Sequence, residues 1–181
     1  MKENLYTHKS IRTHSGQYVN VFEPDIDTIT IEDIAHALSR QPRFGGHLPV
    51  EYSVARHSIA CAGNMRNNEM KLIALLHDAT EAYLIDLPKP IKNEMKEYRD
   101  VEDRLAVVIA KKFGIRYPFP QIVHDIDSAM LVVEWENVFL KKHSLWARFR
   151  YWFDHHFQKR KFLRMYYDLQ LTKNKTLIWN S

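Results

Sequence analysis

An all-α bundle is the fold this chain predicts. Apolar residues recur at helical spacing through most of its 181 residues, and only five Gly and seven Pro interrupt them. That length, with 45% hydrophobic and 12% aromatic residues, suits one domain spanning 1–181 and large enough to bury a core. A core over about 10–140 and a basic, aromatic helical extension over about 141–181 are expected.

The elements follow in order. IRTHSGQYVNVF places short β-prone runs around Ser15-Gly16, predicting a short N-terminal β-hairpin or extended arm. Thr30 before Ile31-Glu32-Asp33 resembles a capping box and opens a helix carrying Ile31, Ile34, Ala35 and Leu38 on one face, which Gln41-Pro42 ends. RFGGHLP reads as a loop. Ser53 then caps a helix through VARHSIACAGNM, with His57 in its first turns. A third helix, EMKLIALLHDATEAYL, capped by Asn68, buries Leu72, Ile73, Leu75, Leu76 and Ala79 until Pro88 and Pro90 stop it. A fourth covers about 93–113, with Gly114 in the C′ position that favours glycine. A fifth runs from the YPFP loop to about 140, and a sixth over about 145–167.

Composition narrows the class. The single cysteine, Cys61, excludes an internal disulfide framework, and in IACAG it reads as a small buried hydrophobe. MKENLYTHKS lacks the apolar stretch of a signal peptide and no window reaches the ~20 apolar residues of a membrane span, so a soluble, cytoplasmic protein with no membrane partner is expected. The net charge of +4 is asymmetric: residues 1–140 hold 16 Lys+Arg against 20 Asp+Glu, whereas 141–181 hold 10 against 2 together with ten of the 22 aromatics. Such a tail suits nucleic acid, an acidic surface or another subunit, or else packs its aromatics on the core with Arg and Lys outward; the last is the expectation.

The chemistry concentrates at His77-Asp78. By itself the pair means little, since His124-Asp125 repeats it. On a continuous helix His77 and Glu81 share a face and Asp78 lies on the same turn, directly after the apolar run LIALL. Ionisable groups entering a core need partners or a metal, and His with Asp suits a divalent first-row ion. His57 and Asp127 are further candidates on other helices, with Asp125 a rival to Asp127 two residues away.

The order His57, His77-Asp78, Asp127 resembles the H…HD…D signature of the HD-domain phosphohydrolase superfamily. Residues 77–92, HDATEAYLIDLPKPIK, are similar to a segment of the bacterial HD-domain 5′-deoxynucleotidases, and IEDIAHALSRQPRFGGH and YSVARHS resemble phage relatives that hydrolyse dATP to deoxyadenosine and triphosphate. The resemblance covers roughly 10–140. It implies an HD-domain helical bundle and a metal-dependent enzyme that cleaves the 5′-phosphoester of (deoxy)nucleotides to nucleoside plus phosphate or triphosphate. His57, His77, Asp78 and Asp127 would hold the ion (Mn, Co, Zn, Fe, Ni or Mg). Glu81 would position or activate the attacking water and Asp86 would assist from the loop. Arg43 and Lys92 would hold phosphate oxygens, and Phe44, where relatives have Trp, would pack on sugar or base. A homo-oligomer is implied as well. Ile85 stands where relatives often have Gly, either narrowing the site or lengthening the helix, and His47 either reaches a phosphate or is solvated. The competing readings are a catalytically silent nucleotide-binding regulator and nucleic-acid binding through the tail.

Overall fold

Three short antiparallel strands lead into a helical bundle in the computed structural model, which describes the backbone of residues 6–179 and the side chains of 8–173. β1 (Tyr6–Thr7), β2 (Ser10–Arg12) and β3 (Tyr18–Asn20) lie in that order, with Ile11 opposite Val19. The expected hairpin is β2–β3, extended by one strand. Its turn is tied to the first helix by Asp33, whose buried carboxylate accepts bonds from Thr13 Oγ1 (2.9 Å), Ser15 N (2.7 Å), Ser15 Oγ (2.6 Å) and Thr30 Oγ1 (2.9 Å). Burial opposes the charge of Asp33, but these donors hold its pKa below the usual value.

α1 (Ile31–Leu38) begins where the capping box places it, with Thr30 accepting from Asp33 N. α2 (Val54–Gly63) is capped by Ser53. α3 (Asn68–Leu76) is capped one residue earlier than expected: Asn67 Oδ1 accepts from Met70 N at 2.7 Å. The continuous helix expected through residue 84 is interrupted. Ala79 N, Glu81 N and Tyr83 N reach back only three residues, to Leu76, Asp78 and Thr80, so tight turns separate α3 from α4 (Glu81–Leu84). His77 and Glu81 therefore do not share a continuous helix.

Ile85 neither lengthens the helix nor narrows the site. It is 61% exposed and ends α4 at φ 64, ψ 157, a region that glycine occupies freely and a β-branched residue does not. α5 (Lys89–Glu94) and α6 (Lys96–Phe113) replace the single helix expected from 93, and Gly114 closes α6 in the left-handed conformation. α7 (Gln121–Glu134) continues into a π-helical turn, Trp135–Phe139.

The tail forms two helices, α8 (Leu145–His155) and α9 (Gln158–Trp179). α9 packs on α1, α2 and α3 and buries Phe162 completely in the core cluster that also holds Ile34, Leu38, Ile73, Leu75 and Leu105. α8 overturns the expectation that the tail aromatics face inward: none of its residues is buried, and Trp146, Phe149, Trp152 and Phe153 face solvent. No helix among the described residues is long and apolar enough to cross a membrane.

Candidate metal centre and cleft

Two histidines from different helices meet at the core. His57, fully buried on α2, and His77, at the C-terminal end of α3, lie with ring centroids 5.3 Å apart. The second nitrogen of each ring is committed elsewhere: His57 Nδ1 is 2.6 Å from Glu134 Oε1, and His77 Nδ1 is 2.7 Å from the Ala74 carbonyl oxygen. Both acceptors require an N–H at Nδ1, so in the neutral rings each Nε2 carries the lone pair, the tautomer a metal ligand needs.

The acids arrive from two further places. Asp127 Oδ1, from α7, lies 3.0 Å from His57 Nε2 and 3.8 Å from His77 Nε2. Asp78 Oδ1 is 3.3 Å from His77 Nε2, and Asp78 Oδ2 is 3.7 Å from His57 Nε2. Both residues stand at the junction where α3 ends, and both side chains reach the cluster from there. Asp125 faces solvent instead and accepts from Gln121 Nε2. His124 is likewise exposed, so the second HD pair lies outside the cluster.

The donor set fits a divalent ion. His77 Nε2 and Asp78 Oδ2 are buried without a hydrogen-bond partner among the described residues, although both sit inside the cluster. Leaving two such atoms unsatisfied costs about 1–3 kcal/mol each, and a cation at their meeting point removes that penalty. A ligand atom each from His57, Cys61, His77 and Asp127 lies within 4.8 Å of all the others. Mixed nitrogen and oxygen ligands suit a first-row divalent ion better than calcium. With protons in place of the ion, burial disfavours the charge on His57, but bonds to Asp127, Cys61 and Glu134 outweigh it and raise its pKa well above the usual value. Asp127 is held far below the ordinary range by the two histidines despite its burial.

The cluster opens on a cleft of about 460 Å³ lined by Arg43, Phe44, Asp78, Glu81, Asp86, Lys92 and Asp127. All of the expected phosphate- and water-handling residues thus share one wall system. Glu81 is 4% exposed, and its Oε2 has no hydrogen-bond partner among the described residues. Burial, then the nearby Asp78 and Asp86 carboxylates, push its pKa well above the ordinary value. Asp86 is raised too, chiefly by burial. Lys92 lies 2.8 Å from Glu102 and 3.9 Å from Glu81. Phe44 holds a left-handed backbone (φ 53) beside Phe139. Exposed His47 is not among the cleft-lining residues.

Three contributors escaped the sequence reading. Glu134 is 1% exposed; one oxygen takes His57 Nδ1 and the other takes Arg43 Nη2 (3.0 Å) and Nε (3.3 Å). Gln41 spans the loop by donating to the Glu81 carbonyl (2.7 Å) and accepting from Asp86 N (3.1 Å). Cys61 Sγ lies 3.4 Å from His57 Nε2. The four-residue spacing of His57 and Cys61 was a visible signal; nothing in the sequence pairs Gln41 or Glu134 with the site.

No family model matches the chain. It is 38% identical over 136 residues to the uncharacterized protein YfdR of Escherichia coli strain K12, covering 75% of this chain and 76% of that protein. The chain belongs to the YfdR family. An uncharacterized protein of Rhodobacter capsulatus, RCAP_rcc00048, is 36% identical over 118 residues, 60% of each chain.

Proposed function

We propose that the protein is a metal-dependent phosphohydrolase of the HD-domain type that cleaves the 5′-phosphoester of (deoxy)nucleotides, giving nucleoside plus phosphate or triphosphate. One observation carries this reading: the donor atoms of His57, His77, Asp78 and Asp127 converge at the wall of a cleft that Glu81, Arg43 and Lys92 also line. These four residues would hold the ion, which when bound supplies Lewis acidity at the phosphoryl oxygen and lowers the pKa of water. Glu81, with a raised pKa and an unengaged Oε2, takes the proton of the attacking water. Arg43 has five N–H donors, and Glu134 engages two of its nitrogens, so the guanidinium is held rigid while donors remain for a phosphate oxygen. Lys92 adds a point charge across the cleft, and Phe44 offers an aromatic face to sugar or base.

The outer arc of α8 supports the homo-oligomer. Leu145 (86% exposed), Trp146 (73%), Phe149 (51%), Trp152 (48%) and Phe153 (53%) point outward, while Tyr151 and Asp154 turn inward to Arg56. The outward side chains expose on the order of 500 Å², a large share of the roughly 800 Å² per partner in a stable dimer. Aromatics with Arg148 and Arg150, and no Lys between 145 and 158, match the composition of protein interfaces and favour a second copy as the occupant. A groove of about 420 Å³ lies alongside, lined by Leu48, Pro49, Glu51, Phe149 and Trp152, and Arg43 borders both this groove and the cleft.

A panel of dNMPs and dNTPs incubated with Mn²⁺ or Co²⁺ tests the activity. Nucleoside release is expected from wild type and not from Asp127→Ala, and Glu81→Gln should lose about 10²–10⁴ in kcat while retaining metal. Absence of nucleoside from every substrate overturns the reading.

A further inference from the structure

The cysteine in the cluster is foreign to the histidine and aspartate set. Cys61 sits one helical turn after His57, so both side chains leave the same face of α2, the i, i+4 arrangement by which a single helix presents two ligands to one ion. It is completely buried, and its Sγ lies 3.4 Å from His57 Nε2, the nitrogen that faces Asp127 and Asp78. Neighbouring ligands of one ion at ordinary zinc–sulfur and zinc–nitrogen lengths are separated by about 3–3.5 Å. A second observation points independently to a ligand at the same place: the His77 side chain is 7% exposed, and its Nε2 is aimed into the cluster without a hydrogen-bond partner among the described residues.

We propose that Cys61 is a ligand of this centre, making it a thiolate-containing site that selects Zn²⁺, Co²⁺ or Fe²⁺ over Mg²⁺ and Mn²⁺. The proposal rests on the metal-centre reading above and narrows it. Thiolate is the softest donor in the group, and softer ligands favour these ions over those that prefer an all-oxygen shell. The S–H proton leaves as sulfur binds and passes to solvent through the cleft that Asp78 and Asp127 of the cluster line.

Cobalt(II) added to metal-stripped full-length protein reads the sulfur directly. Stoichiometric d–d bands in the visible and a sulfur-to-cobalt charge-transfer band in the near ultraviolet are expected. In Cys61→Ser and Cys61→Ala the charge-transfer band should vanish while d–d bands persist, and the ratio of Zn²⁺ to Mn²⁺ affinity should fall. Wild type showing d–d bands without charge transfer overturns the Cys61 assignment alone and leaves it a core thiol beside His57. Failure of wild type to bind any cobalt overturns the metal centre and the proposed function with it.

Discussion

Glu134 shows how one buried carboxylate can serve two roles. It fixes the tautomer of His57 and the direction of Arg43 at once; burial opposes its charge, but bonds and attraction to these partners hold its pKa below the usual value. Glu134→Gln keeps the shape and removes the charge. It should weaken metal binding by about 10–100-fold, as competition with a chelating dye would measure, and a change of less than twofold would show that Glu134 does not support the ligand. A different histidine contributes to acid sensitivity. His36 stacks on His14 at 3.5 Å and lies 3.3 Å from both Arg40 Nη1 and Lys159 Nζ. Burial, then the positive neighbours, pull its pKa down to about 4, although Asp33 opposes them. The folded state therefore binds fewer protons than the unfolded chain between the usual histidine pKa and that value. Stability should decline as pH falls through this window and be insensitive to His36 above it. Urea titrations at pH 7 and pH 5 should show a smaller pH difference in His36→Asn than in wild type.

At the level of elements, the junction between α3 and α4 matters most. His77 and Asp78 stand where α3 gives way to three-residue turns, and both side chains reach the cluster from this junction. The same segment ends with Ile85 in a conformation suited to glycine. Strain of this kind costs about 1–3 kcal/mol, and the greater entropy loss of glycine returns about 0.5–1 kcal/mol of that. Ile85→Gly should therefore stabilise the fold by about 1 kcal/mol and raise Tm by about 2–4 °C. A lower Tm would show that the isoleucine side chain contributes more than its backbone costs. Helix starts with side-chain caps were legible because a cap is a local signal, as at Thr30 and Ser53. The breaks at 77–80, 95 and 156–157 were not, since no Gly or Pro marks them.

For the whole molecule, the inverted helix α8 is decisive. An arc of Leu, Trp and Phe in water has an unfavourable hydration free energy that the proposed contact with a second copy would relieve. Sedimentation should find wild type as a dimer or larger assembly and Trp152→Asp shifted to monomer with Tm nearly unchanged, because Trp152 is half exposed already. A wild-type monomer at micromolar concentration would remove this surface from consideration. Spacing and caps sufficed to predict a mostly helical chain and the hairpin, because those signals act within one turn or one strand, and they marked His57, His77, Asp78 and Asp127 only as candidates that the family resemblance then drew together. Sequence left open the choice of Asp127 over Asp125, the seating of Arg43 on Glu134, the approach of Cys61 to His57 and the outward turn of α8. Each depends on which faces of distant helices meet, and only the packing of α2, α3, α7 and α9 around the core determines that.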